Sequence, residues 1–72
     1  MKDMINRYKN SMVTVFEKKY NLSEFEARKL IREYDFNKVL KSCNYIALHD
    51  APEIWVDEIY QWFNERQEVI EM

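Results

Sequence analysis

One histidine, one cysteine and a single His-Asp step have the most chemical reach in this chain of 72 residues. His49-Asp50 opens the stretch LHDAPEIWVDEIYQWF, Leu48 to Phe63, which also holds the only proline and both tryptophans. A histidine beside an aspartate suits proton transfer or metal-assisted hydrolysis, because imidazole titrates near neutrality and a carboxylate can orient it or share an ion. Either chemistry needs more residues than these. A triad requires a nucleophile held by the imidazole, and no nucleophile elbow or strand-turn-helix context surrounds His49. A His-Asp phosphohydrolase requires further His and Asp ligands. Zinc requires three or four ligands, and Cys43 with His49 supplies a partial site at most. A glycine-rich phosphate loop has no counterpart in a chain without glycine. The expectation is a protein that is not an enzyme, with no catalytic, cofactor-binding or metal-binding residues.

Helix initiation accounts for the same stretch without chemistry. Asp50 followed by Glu53 has capping-box spacing, and Pro52 falls in a first turn where its missing N–H costs nothing. Both carboxylates would sit at the positive end of the helix dipole. On a helical wheel Trp62, Trp55, Arg66, Ile59, Phe63, Val56 and Tyr60 occupy an arc of about 160°. Asp57, Glu58, Gln61, Asn64 and Glu65 fill the rest. A core-facing stripe needs little more than ~100°, so one edge of this arc should stay partly uncovered. Trp55, Trp62 and Arg66 form one edge and Tyr60 the other. Tryptophan, tyrosine and arginine dominate interface hot spots, so these four are the candidate partner-binding residues.

The elements that carry these residues are helical. Ile5, Tyr8, Met12, Phe16 and Tyr20 recur at helical spacing over about 3–20, with Lys9 and Lys19 inside the same arc, where their stems can run along its edge. Asn21 suits the left-handed stop. Ser23 and Glu26 form a capping box ahead of a helix over 24–34, with Leu22 placed to staple onto Ala27. Its inner face is Ala27, Leu30, Ile31 and Tyr34. Asn37 is the expected cap of a third helix over 38–47, with Val39, Leu40, Cys43, Ile46 and Ala47 inside. The last helix covers 52–66. The absence of glycine argues against tight hairpins. The expectation is an all-α fold, a compact bundle of four helices, two of them short, in a single domain over 1–72.

Composition limits the function classes. The chain is 47% hydrophobic and 33% charged, enough for a core and too charged for a membrane span. Lys2 and Asp3 lead into a polar segment rather than an apolar signal region, and a lone cysteine fits a reducing compartment, so the expected location is the cytoplasm. The net charge of −2 is unevenly spread: residues 1–49 carry ten Lys/Arg against six Asp/Glu, and residues 50–72 carry one against seven. A basic patch of Arg28, Lys29, Arg32, Lys38 and Lys41 makes a DNA-binding regulator one alternative function. An acidic pI, the lack of a turn glycine and a short recognition helix count against it. A self-associating structural protein, such as a homodimer with Trp62 at its seam, is another.

The segments LSEFEARKLIREYDF, VLKSCNYIALH and IWVDEIYQWF resemble a small bacterial family known as domain of unknown function thirty-seven ninety-one. Leu22, Ala27, Leu30, Tyr34, Leu40, Tyr45, Leu48, His49, Val56, Asp57 and Ile59 match its pattern over about residues 10–66, and the Tyr-x-x-Leu-His segment is the distinctive part. Asp35 stands where the family commonly has a glycine, and Glu58 interrupts an Asp-Ile pair. Members are often encoded beside ADP-ribosyltransferase-like toxin domains. The resemblance therefore implies a protein partner, a toxin encoded nearby, and an antitoxin-like role by occlusion. It also implies that Tyr45 and His49 pack beneath the last helix.

Overall fold

The stripe Ile5, Tyr8, Met12, Phe16 and Tyr20 becomes the inner face of the first helix, α1, Lys2–Tyr20. The computed structural model describes residues 2–71 and the side chains of residues 2–66. Met12 and Phe16 are completely buried, with Val13 beside them. Asn21 takes φ 57° and stops the helix, the conformation in which a short polar side chain is least penalised. The next helix, α2, Glu24–Tyr34, starts where its capping box predicts. Ser23 Oγ accepts the Glu26 N–H at 3.1 Å, and the Ser23 N–H donates to Glu26 Oε1 at 3.2 Å. Ala27, Leu30 and Ile31 are buried and Tyr34 is half-buried, as the i, i+3, i+4, i+7 spacing requires.

The third helix departs from expectation at both ends. It is α3, Phe36–Ser42, not 38–47, and Asn37 lies inside it rather than capping it. One left-handed residue, Asp35 at φ 61°, closes α2 by donating its N–H to the Arg32 and Ile31 carbonyls and starts α3. This tight reversal puts Phe36, only 1% exposed, directly into the core. Asn44 (φ 55°) and Tyr45 (φ 65°) then break the helix, and the chain resumes as a 3-10 turn over Ile46–His49. Two consecutive left-handed residues reset the phase. Leu40 and Ala47 stay buried, but Ile46, expected inside, is 63% exposed.

The last helix, α4, Pro52–Glu71, starts at the predicted proline and runs past the expected end at Arg66. The side chains of the tail after Arg66 lie outside the described residues. Val56 and Ile59 are completely buried. Tyr8 meets Asp50, while Lys19 and Tyr20 meet Asp57 and Tyr60, so α1 and α4 run parallel. On its other side α4 crosses α2: Tyr60 and Phe63 share a cleft with Leu22 and Leu30, and Trp62 reaches Tyr34. The architecture is an all-α bundle of four helices, with no strand among the described residues. Among the described residues no helix is long and apolar enough to cross a membrane.

Candidate protein-contact face

Asp50, the second residue of the His-Asp step, makes two contacts at the entrance to α4. The predicted Asp50–Glu53 capping box does not form, because α4 begins one residue later than that box needs. Ala51 stands before Pro52, and its carbonyl accepts the Ile54 N–H at 3.0 Å. Asp50 is extended instead, and its Oδ2 accepts the indole N–H of Trp55 at 3.2 Å. Its carbonyl oxygen accepts the Tyr8 hydroxyl at 2.9 Å. Tyr8 and Trp55 both pack on Phe36, the first stacked at 5.9 Å between ring centroids and the second edge-on at 5.6 Å. Asp50 therefore ties two aromatic neighbours of one core ring. Burial, then the charges of Asp50 and Glu53, push the Tyr8 phenol up to about 12.

His49 is exposed, so the expectation that it packs beneath the last helix is corrected. The left-handed turn at Asn44-Tyr45 is the cause. It sends half-buried Tyr45 toward α1, where it lines a cleft with Ile5 and Leu40, and leaves His49 at the outer rim of the 3-10 turn. Cys43 is half-buried and its thiol points at the Leu40 carbonyl, 3.7 Å away. Among the described residues, no three His, Cys, Asp or Glu side chains gather around a point that could hold a metal ion.

The four predicted contact residues divide between the two flanks of α4. Trp55 and Trp62, seven residues apart, share one flank, and each is half-buried. The Trp62 ring stands edge-on to Tyr34 at 5.2 Å and 81°, and the exposed Arg66 guanidinium lies 4.9 Å from its centroid. Each indole thus meets one ring of the domain in a T-shaped contact while part of its surface meets solvent. That geometry stiffens a large apolar anchor before any partner arrives. Glu58 lies between the tryptophans in sequence and near Tyr34. Burial and then the Glu58 charge raise the Tyr34 pKa.

Tyr60 occupies the opposite flank and stacks on Tyr20, ring centroids 3.8 Å apart and planes 16° from parallel. Beside this stack, Lys19 Nζ lies 2.8 Å from both Asp57 oxygens, and the Tyr20 hydroxyl donates to Asp57 Oδ1 at 2.6 Å. The wheel assigns Asp57 to the polar remainder of α4, but the fold makes it a tie to α1. Lys19 first, and then Tyr20, hold the Asp57 carboxyl below its ordinary pKa. Sequence reasoning also missed Tyr34 and Phe36 as the supports of the tryptophans, since both contacts cross between helices. The helix-turn-helix alternative meets a one-residue turn where that motif uses three or four, and an α3 of seven residues. Compared with known proteins, the chain matches no family model, no curated protein and no solved structure.

Proposed function

We propose that this chain is a non-catalytic protein-binding module that acts by occlusion, in the manner of an antitoxin covering a surface of its partner toxin. The observation that carries this reading is the Trp55–Trp62 flank, two indoles braced edge-on by Phe36 and Tyr34 yet left half-open, with Arg66 over the second. Anchors of this kind, rigid and partly desolvated in the free protein, give up little conformational entropy on binding. The acidic balance of residues 50–72 would steer a basic partner toward the same helix. The resemblance to a family encoded beside toxin domains supports the identity of the partner, and a cytoplasmic location goes with it.

The test is co-purification of this protein with the product of an adjacent gene, together with rescue of growth when that product is toxic. Trp62→Ala should weaken the association about tenfold or more, as expected of a hot spot. Arg66→Glu, which leaves the core untouched, should weaken it as well. Absence of both association and rescue removes the antitoxin reading.

A further inference from the structure

Two clefts meet on the side of the molecule formed by α1, α2 and α3, and they share Lys9 and Asn37. The first, of about 300 Å³, adds Arg28 and Arg32 to Lys9. The second, of about 290 Å³, adds Lys2 and Lys41. Together they form one furrow with five cationic side chains and a single carboxylate, Asp35. Its floor is apolar, made of Ile5, Ile31, Phe36 and Leu40. The protein as a whole carries net charge −2, so this concentration of positive charge runs against its average.

The cations have few internal partners. Among the described residues the ion pairs are Lys19–Asp57 and Arg28–Glu24, which leaves Lys2, Lys9, Arg32 and Lys41 without a carboxylate in ion-pair reach. Arg28 is positioned in advance: its Nε donates to Glu24 at 2.9 Å and its Nη2 to Asn10 Oδ1 at 3.0 Å. A preset guanidinium loses less freedom on meeting a ligand.

We infer that this furrow binds an extended acidic segment of another protein, at a surface separate from the tryptophan flank. From Lys2 to Asn10, beside Arg28, eight residues of helix rise ~12 Å, a span that about four extended residues cover. Side chains of an extended segment alternate in direction. Apolar ones can therefore turn toward the floor while carboxylates meet Lys9, Arg32 and Lys41. A single-stranded nucleic acid fits less well. It needs exposed aromatic platforms for its bases, and the aromatic rings here are Phe36, which is 1% exposed, and half-buried Tyr45.

The probe is a fluorescein-labelled peptide of about eight residues alternating Glu and Leu, followed by anisotropy with the full chain. Saturable binding is expected, weakening about tenfold between roughly 50 and 300 mM salt. Lys9→Gln with Arg32→Gln should weaken it by a further factor of about ten, with the helical circular dichroism unchanged. Lys18→Gln with Lys29→Gln removes the same charge outside the furrow and should change affinity less than about twofold. Four results overturn the inference: no saturable binding at low salt, equal losses in the two double variants, tighter binding of an oligothymidylate than of the peptide, or a salt-labile dimer without peptide that the furrow variant abolishes. The last gives the furrow to a second copy of the chain. None of them bears on the tryptophan flank, which Trp62→Ala tests separately.

Discussion

The Tyr20 hydroxyl donates a 2.6 Å hydrogen bond to Asp57 Oδ1, joining the last turn of α1 to the second turn of α4. The same carboxylate accepts from Lys19 through both oxygens, and the Tyr20 ring lies flat on Tyr60. A half-exposed carboxylate thus ties together the two longest helices.

This tie predicts a pH dependence with opposite signs at its two ends. The Asp57 hydrogen bond, and to a lesser extent burial, pushes Tyr20 up to about 12, and Tyr8 reaches about 12 through burial. A pKa raised by folding stabilises fully below the ordinary value of 10.0, and that stabilisation is lost as pH rises through about 12. Asp57 is lowered from 3.8, so its contribution is present above that value and is lost as pH falls through the folded pKa. Urea midpoints measured across pH should fall at both extremes. Tyr20→Phe should shrink the alkaline loss, and Asp57→Asn the acidic one.

A double-mutant cycle between Tyr20→Phe and Asp57→Ala measures the tie directly, because alanine leaves no oxygen to accept the phenol. Asp57 is about half exposed and Tyr20 only half-buried, so solvent screening limits the coupling energy to about 1 kcal/mol. Chemical denaturation of the four proteins gives that number, and additivity of the two substitutions would show that the bond contributes nothing to stability.

Ser23→Ala removes the acceptor for the Glu26 N–H and one arm of a reciprocal pair. It should lower stability by about 1 kcal/mol. Hydrogen exchange should accelerate in the first turn of α2 before it changes in α1.

Asp35→Gly should raise stability. Asp35 holds φ 61° and its side chain caps neither helix, so glycine relieves left-handed crowding without losing a bond. The gain should be about 0.5–1 kcal/mol, a few degrees in melting temperature for a domain of this size. Asp35→Val, which cannot adopt this conformation cheaply, should lower it.

Two isoleucines separate packing from composition. Ile59 is completely buried and Ile46 is 63% exposed. Ile59→Ala should cost about 3–4 kcal/mol, enough to unfold much of so small a domain at room temperature. Ile46→Gln should stay within about 0.5 kcal/mol of the parent. Melting curves of the two variants provide the comparison.

Features set by neighbours along the chain were legible in the amino-acid order. The capping box at Ser23, the stop at Asn21, the proline start of α4 and the inner faces of α1 and α2 depend on contacts three or four residues apart, which periodicity encodes. The excess breadth of the apolar arc on α4 was legible for the same reason. What residue order could not settle were contacts between helices. Asp50 has the spacing of a cap, yet it serves Trp55 and Tyr8 because the entry into α4 is displaced by one residue. Asp57 reads as a solvated charge until α1 lies parallel to α4 and brings Lys19 and Tyr20 to it. Lys2 and Lys9 join Arg28, Arg32 and Lys41 only because a one-residue turn at Asp35 folds α3 back toward α1. Helical phase is a local property, whereas the direction and offset of one helix against another come from packing the whole core at once.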